Sequence, residues 1–141
     1  MSRAAVYAAL RDDPVLTSDF NIGVWNIFGR NTIDVPPNRT DPFVVLQWSS
    51  REARPKHGRG PRILTIWIHI PKQASQDYAD IDPILDRIVA IMAGLPGTKG
   101  SDEYTVNDVR YTGDSEDLLD IGYDTIVRNA AFEVLSSRLA I

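Results

Sequence analysis

Few side chains in this sequence could carry acid–base or nucleophilic chemistry. The chain has two histidines, His57 and His69, and no cysteine. The lack of cysteine excludes a disulfide framework, a thiolate metal site and a cysteine nucleophile. Neither histidine belongs to a pattern that also supplies a serine and a carboxylate, as a hydrolytic triad requires. We therefore interpret His57 as a solvated loop residue and His69 as a partly buried strand residue, and we predict no enzymatic activity and no cofactor.

Carboxylates are more numerous, but their spacing does not favour a metal site. Asp80, Asp82 and Asp86 surround the start of a predicted helix, where negative charge interacts well with the positive end of the helix dipole. A second group lies between two predicted strands and lacks the spacing and the turn glycine of a calcium-binding loop. Its members are Asp114, Glu116, Asp117 and Asp120. We predict no bound metal at either group.

The strongest charge signal is a basic stretch, REARPKHGRGPR, at residues 51–62. It holds a third of the chain's 15 basic residues and contains a single acid, Glu52, whereas the whole chain carries a formal net charge of −4. Its GRG lacks the Gly-Lys-Ser/Thr ending of a phosphate-binding loop. We predict that this stretch contacts an acidic protein surface or DNA. Its basic members are Arg51, Arg54, Lys56, Arg59 and Arg62.

An acidic region balances the basic stretch. Residues 101–124 contain eight acids and a single basic residue, Arg110. A subunit with one basic and one acidic surface can join the next copy head to tail, and such a contact can close into a ring. The basic stretch is therefore one predicted half of a subunit interface. The acids predicted for the other half are Asp114, Glu116, Asp117 and Asp120.

The elements that position these charges follow from hydrophobic periodicity. RILTIWIHIP at residues 62–71 alternates apolar residues along one face and predicts a strand, and PFVVLQWS at residues 42–49 predicts its partner. The basic stretch then forms the loop of a long hairpin. DPILDRIVAIMA at residues 82–93 predicts a helix from its three- and four-residue apolar spacing, with Asp82 as the N-cap and Pro83 at the first helical position.

Weaker patterns complete the layout. Residues 3–12 predict a helix that Asp13-Pro14 ends and a loop follows, because the residue before proline avoids the helical region. Strands are predicted at residues 23–28 and 104–113 and within 125–139, with an acidic connection at 114–124. This order predicts one α+β domain over residues 1–141, with a mainly antiparallel sheet and two helices packed on one face.

Composition and charge narrow the class of protein further. The balance of 43% hydrophobic and 24% charged residues is that of an ordinary globular domain. The apolar run near the N-terminus is too short for a signal peptide or a membrane anchor, so we expect no membrane association. The net negative charge disfavours general coating of DNA, which depends on neutralising phosphates.

Taken as a whole, the layout resembles the tail terminator, or tail completion, proteins of long-tailed bacteriophages. The resemblance covers nearly the whole chain and rests on the order of its pieces. The most specific part is a proline-led strand, a hairpin and then an Asp/Ile-patterned helix. The pieces are RAAVYAALRDDP, DPFVVL, ILTIWIHI, YADIDPILDRIVAIM with GLPG at its end, VRYTGDS and AAFEVLSS.

This resemblance implies a structural virion protein without enzymatic activity. Members of the family assemble as a ring, typically a hexamer, on the end of the finished tail tube, where they stop polymerisation and join the tail to the head. The implied location is the head–tail junction of the virion, after assembly in the host cytoplasm. The implied partners are other copies of the chain, the tail tube protein and the head-side connector protein, with transient contact to DNA in the lumen.

Three other functions stay open at this point. A head-side connector or stopper protein would have a similar size. A nucleic-acid-binding module would use residues 51–62 as its contact and would bind DNA in a strongly salt-dependent manner. A small enzyme would need a pocket with convergent ionisable groups, and the sequence offers no such set.

Overall fold

The computed structural model describes residues 3–23, 26–29, 41–49 and 62–138, and within these ranges it confirms the predicted α+β fold. A six-stranded, mainly antiparallel sheet carries its helices on one face. The helical elements are α1 (Arg3–Arg11), a π-helical turn (Val15–Asp19), a 3₁₀ turn (Tyr78–Asp80) and α2 (Asp82–Ala93). The strands are β1 (Ile27–Gly29), β2 (Phe43–Ser49), β3 (Arg62–Pro71), β4 (Tyr104–Asp114), β5 (Leu118–Asp120) and β6 (Thr125–Arg138).

The sheet is built around β3 and β6. The strand order is β1-β2-β3-β6-β4, and β5 pairs with β6 beyond the end of β4. The central ladder runs from Arg62 opposite Val134 to Pro71 opposite Thr125. Only β1 breaks the antiparallel pattern among the described strands, since it runs parallel to β2. The predicted β2–β3 hairpin is confirmed by its register, in which Val45 lies opposite Trp67, while its loop at 50–61 lies outside the described residues.

The main core lies between the helices and one face of the sheet. The alternating residues of β3 that were predicted to form an apolar face are all buried there, and α2 packs Ile84, Ile88 and Met92 against this face, with Val6 and Leu10 of α1 beside them. The sheet residues concerned are Leu64, Ile66, Ile68 and Ile70. Because burying one aliphatic side chain contributes about 1.5–3 kcal/mol, this shared layer is the principal source of stability.

The chain after α1 differs from the prediction. Pro14 does end α1, but a second helical turn follows at once in place of a loop, because its φ of −68° and ψ of −25° suit a helix start. The Asp13 carboxylate supports this turn by accepting a hydrogen bond of 3.0 Å from the Leu16 N–H. Asp13 is 8% exposed, and its second role is an ion pair with Arg87 of α2.

The ion pair between Asp13 and Arg87 joins the first helical region to α2. The guanidinium holds both carboxylate oxygens, with Nη2 at 2.5 Å and Nε at 3.1 Å. Such two-pronged pairs fix geometry as well as supplying energy. The hydrogen bond from Arg87 lowers the pKa of Asp13, and it outweighs the opposing effect of burial on that carboxyl group.

Two further predictions need correction. Asp82 is not the N-cap of α2, because Ile81 occupies that position without a side-chain cap, and Asp82 lies in the first turn. Among the described residues, the strand predicted at 23–28 begins only at Ile27 and runs to Gly29. The strands predicted near the C-terminus are confirmed as β4 and β6. The acidic connection predicted at 114–124 contains a further short strand, β5.

Candidate assembly surfaces

The structure places only one half of the predicted interface. Arg51, Arg54, Lys56 and Arg59 lie outside the described residues, and Arg62 is the partly buried first residue of β3. All four predicted acids are described and follow one another along the outer side of β6. Asp114 ends β4, Glu116 and Asp117 lie in the connection, and Asp120 ends β5.

These acids lie on a strand that is interrupted and then resumes. β4 pairs with β6 as far as Asp114 opposite Ala130, and β5 pairs with it again from Leu118 opposite Val127. Ser115 fixes the interruption, because its N–H donates to the Asn129 carbonyl and its Oγ accepts from the Asn129 N–H, both at 2.9 Å. Residues 115–117 therefore form a pinned arch, which we call the acidic arch.

Arg128 of β6 lies beneath the acidic arch and was missed by the sequence analysis. Its Nη1 is 2.6 Å from Asp82, its Nη2 is 3.3 Å from Asp114, and its Nε is 3.9 Å from Asp117. Nε and Nη2 also donate to the Ser115 carbonyl at 3.1 and 2.9 Å. The arginine side chain is only 17% exposed. One guanidinium thus ties the start of α2, the end of β4 and the acidic arch to the central strand.

A sequence signal for Arg128 does exist. The helix-facing row of β6 otherwise consists of apolar residues at every second position, and Arg128 interrupts it. The apolar members are Ile126, Ala130, Phe132 and Val134. A charge in such a row has to find a partner, because leaving it buried and unpaired is costly. The acids at 101–124 are therefore not opposed by Arg110 alone, and Asp114 and Asp117 are partly neutralised within the subunit.

The remaining acids of the predicted interface are less engaged. Glu116 is exposed, and Asp120 is partly exposed with one carboxylate oxygen accepting the Tyr123 N–H at 3.0 Å. The Tyr111 hydroxyl donates a hydrogen bond of 2.7 Å to the Asp114 carboxylate, and this hydrogen bond is the main reason why the pKa of Tyr111 is raised. Glu116 and Asp120 are consequently the predicted acids best placed to meet a partner.

The face of the sheet opposite the helices has a small aromatic cluster of its own. His69 stacks on Phe43 with ring centres 4.5 Å apart, and Tyr123 closes edge-on against both rings at 5.6 Å. His69 Nδ1 lies 2.8 Å from Thr125 Oγ1. The ring of His69 is more deeply buried than predicted, at 4% exposure. The turn that carries Tyr123 therefore covers one end of this face, which we call the open face.

Next to this cluster the open face holds a hollow. Its volume is about 350 Å³, near the lower end of small-molecule pockets. The Trp67 indole is oriented by its Nε1–H, which donates to Gln47 Oε1 at 3.1 Å. The hollow is lined by eight residues: Val45, Trp67, His69, Leu118, Leu119, Asp120, Tyr123 and Val127. We call this feature the aromatic hollow, and the sequence analysis did not anticipate it.

The described part of the chain contains neither a cluster of metal-ligating side chains nor a membrane-spanning helix. No group of three or more metal-ligating side chains comes together among those residues. None of the helices described is both long and apolar enough to cross a bilayer.

Comparison with known proteins adds no relative. No protein-family model matches the chain, and no curated protein is significantly similar to it. Any proposed function therefore has to account for the surfaces of this fold: the acidic arch, the aromatic hollow and the open face around it.

Proposed function

We propose that this protein is a tail terminator of a long-tailed bacteriophage. In this role the chain is a structural subunit that assembles with other copies as a ring, typically a hexamer, on the end of the tail tube. The ring occupies the surface that the next tube subunit needs, so polymerisation stops without a bond being made or broken. Its other side meets the head-side connector at the head–tail junction of the virion.

The observation that carries the proposal is the open face of the sheet. Helices cover the opposite face, whereas this one holds the aromatic hollow, and apolar side chains reach solvent in the segment that lines one side of it. Leu119 of β5 lines the hollow and is 52% exposed, and Ile121, on the turn that follows β5, is 87% exposed. Large exposed apolar side chains beside a hollow mark a protein contact more often than they serve a solitary domain. A subunit that buries this face against a neighbour fits the observation.

The charge distribution supports a head-to-tail contact over a two-fold one. The exposed Glu116 and the partly exposed Asp120 lie on the β4–β5 side of the sheet, while the basic residues cluster in the sequence between β2 and β3. A two-fold contact places the same patch of both copies together, whereas a head-to-tail contact joins two different patches and closes a ring. Opposite charges carried by different segments of the chain suit the second arrangement, and they also speed the encounter.

Particles assembled without this protein test the proposal. We expect tails that are overlong or not joined to heads in negative-stain images, because nothing then occupies the growing end of the tube. Tails of normal length on full heads would refute the termination role. Copurification of the protein with the portal but not with the tube would favour the head-side connector role. DNA binding by the isolated chain that weakens steeply with salt would favour a nucleic-acid-binding module.

A surface variant tests directly whether the exposed apolar residues beside the aromatic hollow contact a neighbouring subunit. Ile121→Asp places a charge on the exposed turn, so we expect loss of ring formation by native mass measurement on particles or on the protein in solution. Gln73→Asp is the matched control, since Gln73 lies on another exposed turn and the change adds the same charge without removing an apolar side chain. Equal ring formation by both variants would contradict a role for the open face.

A further inference from the structure

The aromatic hollow combines features that suit one kind of occupant. Its walls are apolar and aromatic, with Trp67 and Tyr123 among them, and the carboxylate of Asp120 lies at the same site. A cation is attracted to the face of an aromatic ring, and a carboxylate adds a direct charge pair. A long basic side chain satisfies both, because its apolar stem packs along the walls while its charged end reaches the acid.

From these features we infer that the aromatic hollow receives a basic side chain, by preference arginine, from residues 51–61 of a neighbouring copy of the chain. This inference rests on the proposed ring and names the contact that joins its subunits. Arginine suits the site better than lysine, because its flat guanidinium stacks on aromatic rings and pairs with a carboxylate at the same time. Three of the four basic residues in this segment are arginines, namely Arg51, Arg54 and Arg59.

The position of the hollow along the strands favours a neighbour as the source. Val45 and Trp67 line it and lie opposite each other, while the described ends of the hairpin are Ser49 and Arg62. At a rise of about 3.3 Å per residue, four to five residues separate the hollow from that end by roughly 15 Å. The described strands thus separate the hollow from Ser49 and Arg62, which flank the basic segment in the sequence, and the head-to-tail contact of the proposed ring supplies that segment from the next copy.

The charge on the hollow is available for such a contact. Asp120 uses one carboxylate oxygen for the Tyr123 N–H, and a carboxylate has further acceptor positions. Lys72 pairs at 3.4 Å with Asp124, which lies on the turn after β5. Arg128 pairs with Asp114 and Asp117 at the acidic arch. The cations recorded near this part of the molecule are therefore engaged with other acids, and Asp120 is left to attract the incoming side chain.

A peptide-binding experiment tests the inference. The probe is a synthetic peptide with the sequence of residues 50–61, SREARPKHGRGP, and its control has glutamine in place of every Arg and Lys. The protein is the full chain with Arg51, Arg54, Lys56 and Arg59 changed to Gln, so that its own segment does not compete. The readout is the indole N–H signal of Trp67 in nitrogen-15 NMR spectra, followed as peptide is added at low salt.

We expect the basic peptide to shift the Trp67 signal and the glutamine peptide to leave it unchanged. Asp120→Asn keeps an oxygen for the Tyr123 N–H but removes the charge, so the dissociation constant should rise by about fivefold. Glu116→Gln removes the same charge from an exposed position outside the hollow, and it should leave the constant within about twofold. Trp67→Leu removes the indole reporter, so peptide binding to this variant is followed by the backbone amide signal of Tyr123 in the same spectra, and it should weaken independently of Asp120.

Several outcomes overturn the inference. The first is no binding by the basic peptide at low salt. The second is binding that Asp120→Asn and Glu116→Gln weaken equally, which indicates diffuse attraction to the acidic side. The third is a Trp67 signal that already differs between the unmodified chain and the neutralised chain at concentrations where both are monomers, which indicates that the chain's own segment fills the hollow.

The inference and the proposed function can fail separately. Rings that form and cap tails normally with Asp120→Asn and Trp67→Leu would reject the hollow as the contact while leaving tail termination intact. Normal tails in particles that lack the protein, together with specific peptide binding, would reject termination while leaving the hollow as a binding site for a basic segment.

Discussion

Replacing Arg128 with methionine should destabilise the subunit more than the loss of any single exposed ion pair. Methionine keeps most of the length and the apolar stem of the side chain, so the change removes chiefly the guanidinium. That group holds the Ser115 carbonyl with two donors and approaches Asp82, Asp114 and Asp117. After the change, the three carboxylates face one another without a cation between them.

The expected size follows from how exposed each partner is. Asp82, Asp114 and Asp117 are 56%, 37% and 62% exposed, so solvent screens each pair and the three together contribute about 1–2 kcal/mol. The Ser115 carbonyl is part-buried, and losing its charged donor adds about 1–2 kcal/mol. The total is roughly 2–4 kcal/mol. At about 3–5 °C per kcal/mol for a chain of this size, the melting temperature falls by roughly 6–20 °C.

Denaturant unfolding and thermal melting of the purified variant measure this cost. Arg128→Lys should recover only part of the stability, because a lysine lacks the forked donors that reach Ser115 and the acids together. Arg110→Met is the matched control on an exposed position of β4, and its effect should stay within about 0.5 kcal/mol. The difference between wild type and Arg128→Met should shrink at high salt. Equal effects of Arg128→Met and Arg110→Met would refute the structural role of Arg128.

Three further predictions concern the described core. The interactions that lower the pKa of Asp13 stabilise the fold at pH values above the pKa of this carboxyl group in the unfolded chain. In urea unfolding, the free energy of unfolding of the wild type should therefore exceed that of Asp13→Asn by the full amount at pH 7, and this difference should vanish as the pH falls below about 4. A difference that persists at low pH would argue against the ion pair. Thr125→Val leaves the buried His69 Nδ1 without its 2.8 Å partner and should cost about 1–3 kcal/mol in the same assay. Gly100→Ala places a Cβ 2.7 Å from the Ala5 backbone nitrogen and should lower the melting temperature more than Gly94→Ala, where the nearest atom is 3.6 Å away.

The strands and α2 could be predicted because their sequence periods are unambiguous. Leu64, Ile66, Ile68 and Ile70 alternate without interruption, and the structure buries all four on the helix-covered face. The N-terminus of α2 could not be predicted to the residue, because Asp82 is a good N-cap type whose carboxylate is drawn to Arg128 in the folded chain. Capping rules consider only neighbouring residues, so they cannot account for Arg128, which lies 46 positions from Asp82.

The short elements were missed for a related reason. β5 is three residues long, and a pattern of period two has no statistical weight over Leu118–Asp120. What defines it is pairing with β6 and the hydrogen bond from the Tyr78 hydroxyl to the Leu118 carbonyl at 2.6 Å. The aromatic hollow depends on β5 and on the turn that carries Tyr123, so a site built by tertiary pairing could not be read from residue types alone.

Substitutions on the two sides of the sheet should affect different properties, stability on one side and assembly on the other. On the helix-covered side, Asp13 with Arg87 joins the first helical region to α2, and Arg128 with Asp82 joins α2 to β6. The charged groups there are satisfied inside the subunit, so substitutions at them should lower stability. Beside the hollow, by contrast, the Asp120 carboxylate is partly exposed and Ile121 on the following turn is 87% exposed, so substitutions at these two positions remove little that the folded monomer uses. Asp120→Asn and Ile121→Asp should therefore keep the wild-type melting temperature and lose assembly, because the surface they alter is completed only by another molecule.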